Sequence, residues 1–216
     1  MCRTTASFQS AHSQVAAAFA ETARLSGVQY SDRNVPCHVT SNKVGDAICK
    51  LTHDSAPLVL DFSIVHPQSG NVNGGTWNPS ALAQAAHKKC IKHGAQYAVM
   101  GFEFAPCVAT TYGQLEADLL RLLYILARKH AELVHVHHRP LCDVAALFRT
   151  FFAQSRARIG AAVARGMAQR ALGCSSLGAS KVFLRHIAPA RYRDLNLSSG
   201  TRVVAGDAQW RLALAA

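Results

Sequence analysis

The alternation of apolar and polar positions along the chain predicts a definite order of elements. From Gln14 to Leu25 the run QVAAAFAETARL places Val15, Phe19, Ala20 and Ala23 at helical spacing, and Gly27 ends it. VQYS (28–31) reads as a short strand, VGDAICKL (44–51) as a second, and APLVLDFSIV (56–65) as a third whose apolar run is interrupted by Asp61. HPQSGNVNGGT (66–76) is a loop. Asn78 and Pro79 then supply a cap and a first turn for a long helix ending at Gly101, with a break expected at Gly94. FEFAPCVAT (102–110) is a fourth strand, and its Pro106 marks a sheet edge.

A strong helix follows over 113–133, with Leu115, Leu119, Leu122, Leu123 and Leu126 on one side. HVHHRPL (135–141) reads as a break, and a further helix is expected from Asp143 to Leu172. Beyond Gly173 only TRVVAG (201–206) looks like a strand. The fold class expected is α/β: a core over residues 1–130 built as helix, three strands, helix, strand. A linker and basic amphipathic helix would occupy 131–172, with a tail of uncertain structure over 173–216.

Composition narrows the function. With 23 Lys and Arg against 12 Asp and Glu, the chain carries a net charge of +11, which favours polyanions, nucleic acid first. Half of the 216 residues are hydrophobic, enough for a sizeable core. No apolar run approaches the roughly 18 residues of a membrane span, and no secretion signal opens the chain. The seven widely spaced cysteines include no CxxC pair. A soluble nuclear or cytoplasmic protein is expected, not a secreted one.

An acid inside an apolar strand is costly unless it is compensated. Asp46 lies in the second strand and Asp61 in the third, so antiparallel pairing of the two brings both carboxylates together, expected at roughly 4–6 Å. Such a pair repels unless a divalent cation sits between them, and hard oxygen ligands suit Mg²⁺ or Mn²⁺. The following helix carries HKKCIKH, with Lys89 and Lys92 on neighbouring faces. Taken singly, each feature also has a structural explanation: an acid paired with an arginine, or a solvated lysine face.

The ordered set of AHSQV with His12, VGDAI with Asp46, LDFSIV with Asp61, KCIKH with Lys89 and Lys92, and GFEFAPCVATTYGQL resembles a known domain. It is similar to the PD-(D/E)xK restriction-like endonuclease domain at the C-terminal end of site-specific non-LTR retrotransposon polyproteins, downstream of the reverse transcriptase. The likeness covers roughly residues 10 to 130, and less clearly the RARIGAAVARGMAQRAL helix.

The resemblance implies a restriction-endonuclease-like core and Mg²⁺- or Mn²⁺-dependent nicking of DNA. Asp46 and Asp61 would be the metal ligands, Glu21 an additional one, and Lys92 the helper ahead of Lys89. DNA would be the partner, with element RNA and the upstream reverse transcriptase as further ones. The chain departs from the pattern at Gly45, where proline is usual, at Ser63, at His93 in place of tyrosine, and at Ala11 and Ser13 beside His12. The zinc knuckle is represented only by Cys2. A catalytically inactive nucleic-acid-binding remnant of such an element is therefore the alternative.

Two further features carry charge. HVHH supplies His135, His137 and His138, read as a surface linker rather than a zinc site. In the helix after Asp143, Phe148, Phe152, Ile159, Val163 and Met167 share a face, and Arg149, Arg156, Arg158, Arg165 and Arg170 are scattered over the rest. Together with Lys88, Arg156, Arg158 and Arg165 are the residues expected to meet DNA phosphates, or equally to form a solvated helix surface. Membrane binding is the weaker option, because the apolar face lacks Trp.

Overall fold

The computed structural model describes residues 5–32, 34–36, 44–67, 78–138 and 143–174. The order is α1 (Thr5–Leu25), β1 (Gln29–Ser31), β2 (Val35–Pro36), β3 (Val44–Gly45), β4 (Ala47–Lys50), β5 (Leu58–Val65) and α2 (Ala81–Lys89). A π-helical turn (Cys90–Gly94) joins α2 to α3 (Ala95–Val99), and β6 (Glu103–Thr110), α4 (Ala117–His138) and α5 (Val144–Cys174) complete it. The chain is a mixed α/β protein with a small mixed sheet.

Four strands run in the order β1-β4-β5-β6, and β2 pairs with β3 in a separate two-stranded ribbon. β4 is antiparallel to both β1 and β5, whereas β6 is parallel to β5, as the helical crossover between them requires. β6 lies at one edge of the four-stranded sheet, where Pro106 was expected.

Strand alternation divides the core. Leu58, Leu60 and Phe62 of β5 join Ala47 and Cys49 of β4 and Ala105, Cys107 and Ala109 of β6 on one face, packed under α1, α4 and α5. Phe19 of α1 meets Phe62 with ring centroids 5.4 Å apart. Val59 points to the other face, where Tyr97 and Phe104 stack at 5.4 Å beneath the α2–α3 segment. By the same alternation Asp61 and Ser63 belong to this second face.

Several expectations need correction. α1 starts nine residues earlier than the spacing from Gln14 indicates, which puts His12 inside the helix. The strand expected over 44–51 is interrupted at Asp46, and its first part pairs with β2, an element the sequence did not signal. The helix does not break at Gly94 but widens into the π-turn. HVHH is the end of α4, not a linker, and the boundary expected at 130 falls inside that helix. Helical spacing turns His135 and His137 to different sides.

α5 is not an appendage either. Ile159, Ala162 and Val163 are part of the main core. Gly166 meets α1 so closely that a Cβ there would collide with Ala11. The buried stripe is Phe151, Ser155, Ile159, Ala162, Val163, while Phe148 and Phe152 lie half-buried against Tyr124. TRVVAG and Cys2 lie outside the described residues.

Candidate active site

The site begins with an irregularity in the sheet. Ala47 is the partner of Leu60, yet the Asp46 N–H also donates to the Leu60 carbonyl, at 2.8 Å. Two residues of one strand thus face one of the other, which is the geometry of a bulge. Beyond it β4 no longer runs beside β5. The Phe62 N–H instead donates to Asp46 Oδ2, at 2.6 Å. The carboxylate therefore continues the ladder that its own backbone leaves, and this fixes its position.

The same oxygen lies 3.0 Å from His12 Nε2. A carboxylate only accepts, so Nε2 carries the proton. That hydrogen bond holds the His12 pKa above its ordinary value, against burial, which lowers it; the charges of Asp46 and Asp61 raise it further and that of Lys89 lowers it. His12, Asp46, Asp61 and Lys89 thus share one electrostatic neighbourhood.

Asp61 holds Lys89. Its Oδ1 is 2.6 Å from Nζ, and the two side chains are 14% and 23% exposed. This is the compensation that an acid in an apolar strand demands. Asp61 is covalently joined to Phe62, whose N–H Asp46 accepts, so the two carboxylates lie within about 9 Å of each other by backbone dimensions alone. β4 and β5 pair antiparallel as expected, with Asp46 engaged by His12 of α1 and Asp61 by Lys89 of α2.

The structure accounts for Gly45, where the domain that the sequence resembles carries proline. Its N–H donates to the Tyr97 hydroxyl at 2.7 Å, and that hydroxyl donates to the Val35 carbonyl at 2.6 Å. A Cβ at 45 would collide with Val59 Cγ1 and lie 3.2 Å from the Tyr97 oxygen. Proline would bring the clash and remove the donor.

The other expected site residues are dispersed. Lys88 and Lys92 are exposed on the α2–α3 segment. Glu21 pairs with Arg24 at 2.8 Å, and this bond lowers its pKa. It lies nine residues along α1 from His12, about 14 Å by helical rise, so it does not join the acids. Arg158 Nη1 is 3.3 Å from Thr22 Oγ1. Arg156 lies over the Phe152 ring at 5.8 Å, and Arg165 is exposed.

Tyr97 escaped sequence reasoning. Tyr97 stands eight residues beyond Lys89, a spacing that does not share a face in a regular helix. Ser63 Oγ is buried without a hydrogen-bond partner among the described residues, on the same strand face as Asp61. The sequence marked Ser63 only as a departure from the pattern of the domain that the chain resembles.

Asp46 Oδ1 and Asp61 Oδ2 make no hydrogen bond within the described residues, leaving one hard oxygen on each acid. Mg²⁺ is commonly held by one or two carboxylates with water completing its shell, so the chemistry fits. Among the described residues no group of three His, Cys, Asp or Glu side chains is set to hold a metal. Compared with known proteins, the chain matches no family model and no curated sequence. No helix among the described residues is long and apolar enough to cross a membrane.

Proposed function

We propose that the chain is a metal-dependent DNA endonuclease of the PD-(D/E)xK type, with a restriction-endonuclease-like core, belonging to a retroelement polyprotein. The supporting observation is the placement of Asp46 and Asp61 at the end of the β4–β5 pairing with Lys89 on Asp61. Asp46 and Asp61 would hold Mg²⁺ or Mn²⁺, which supplies Lewis-acid polarisation of the phosphate oxygens.

The chain's own residues do the rest. His12 and the Phe62 N–H fix the Asp46 carboxylate. Lys89, rather than Lys92, is the lysine within reach of the acids, and its ammonium offsets negative charge at the scissile phosphate. Lys88 and Lys92, exposed on the same helical segment, neutralise neighbouring phosphates. Element RNA and the upstream reverse transcriptase are the further partners of this reading.

A second reading, a remnant that binds DNA without cutting it, is favoured by the engagement of Glu21 with Arg24 away from the acids. Conversion of supercoiled plasmid to the nicked form in Mg²⁺ or Mn²⁺ separates the two. Nicking supports the endonuclease, and binding without nicking supports the remnant.

A further inference from the structure

We infer that Tyr97 is the positioning residue of Asp46, and that the π-turn between α2 and α3 exists to let one helical segment hold both acids. Lys89 takes Asp61 directly, at 2.6 Å. Tyr97 takes Asp46 through the backbone: its hydroxyl accepts the Gly45 N–H at 2.7 Å and donates to Val35 O at 2.6 Å. Gly45 is the residue before the bulge, so the Tyr97 bridge pins the end of β3 and sets where the Asp46 side chain leaves the chain.

Helical arithmetic gives the π-turn its role. Lys89 and Tyr97 are eight residues apart, and at 3.6 residues per turn an unbroken α-helix would put them about 80° apart. The π-turn spans Cys90–Gly94, between the two. A π-bulge accommodates one extra residue, so the pair behaves as if seven apart and the angle closes to roughly 20°. Both side chains then face the sheet. Ile91, inside the π-turn, is 70% exposed, so the extra length is not there to bury it.

The inference rests on Asp46 and Asp61 being the working pair, but its main test reads geometry and needs no cleavage. Amide hydrogen exchange is followed at Gly45 and Phe62, with Thr111, whose N–H donates to Val65 O at 3.0 Å, as the control. In Tyr97→Phe the Gly45 and Phe62 amides are expected to exchange at least about tenfold faster, with Thr111 unchanged.

Deleting Ile91 restores a regular α-helix that keeps Lys89 and Tyr97 aligned, so that variant retains the parent's protection. Inserting one alanine after Lys92 rotates them apart and reproduces the loss. Unchanged protection of Phe62 in Tyr97→Phe overturns the positioning role. Loss of protection, or failure to fold, in the Ile91 deletion overturns the role of the π-turn. Where nicking is measured, Tyr97→Phe lowers the rate at saturating DNA about tenfold with DNA affinity unchanged. A purely structural contact predicts no such split, and its absence with Phe62 deprotected would count against the endonuclease reading instead.

Discussion

Replacing Lys89 by Met removes the charge that compensates Asp61 while keeping most of the side-chain volume. Breaking a fully buried ion pair from one side costs about 3–5 kcal/mol, whereas exposed pairs contribute about 0–1 kcal/mol. Here the carboxylate is 14% and the lysine 23% exposed, at 2.6 Å, so water partly screens the orphaned charge. The expected loss is about 2 kcal/mol, or a fall in Tm of roughly 4–8 °C for a chain of this size. Asp61→Asn removes the demand for a cation, and the exposed end of Lys89 can then turn to water. The double variant should therefore recover part of the loss, with a coupling of about 1–2 kcal/mol in a double-mutant cycle. Guanidinium denaturation at neutral pH of the four proteins measures it. A Lys89→Met loss below about 0.5 kcal/mol, or strictly additive effects, would refute the claim that Lys89 is what Asp61 holds.

Gly45→Ala should destabilise by about 1–3 kcal/mol through collision with Val59, while Gly160→Ala, in a helix with open space around it, should be neutral or stabilising by up to about 1 kcal/mol; thermal melts of both test the close approach at 45. Burial, with help from the Asp118 charge, raises the Glu116 pKa, so the native state binds this proton more tightly than the unfolded chain. Stability contributed by this group is therefore lost as pH rises from its ordinary value of 4.5 through the raised one, and Glu116→Gln should remove that slope in denaturation measured across the acid range. For metal-free duplex DNA binding, Lys88→Ala with Lys92→Ala should flatten the log–log salt dependence by nearly 2, at about 0.9 per phosphate contact. Replacing Arg156, Arg158 and Arg165 by Ala should flatten it less, because Arg158 is engaged with Thr22 and Arg156 with Phe152.

The parts of the site legible in the sequence were those governed by strand periodicity. Asp61 stood out because it interrupted an apolar run, and antiparallel pairing with the Asp46 segment follows from the short connection between the two strands. The choice between Lys89 and Lys92 was not legible. It depends on where a π-turn widens the helix, and the interior Gly94 signalled an irregularity there without its kind. Tyr97 was hidden for the same reason. The β2–β3 ribbon has only two residues per strand, too few for any period to register. α5 looked like an appendage because nothing in its own spacing says that Ile159, Ala162 and Val163 join the main core, or that Gly166 lets it approach α1 closely.

The endonuclease reading is tested most directly by nicking of supercoiled plasmid by the unmutated chain and by Asp61→Ala, in Mg²⁺ and in Mn²⁺, with metal-free DNA binding measured alongside. Small misplacements in a catalytic site cost about a hundredfold, and Gly45, Ser63 and His93 depart from the pattern of the endonuclease domain that the sequence resembles. Weak, sequence-tolerant nicking is therefore expected, stronger in Mn²⁺, abolished in Asp61→Ala, with DNA binding unchanged by that substitution. Nicking that persists in Asp61→Ala, or its absence from the unmutated chain with metal bound, would contradict the account.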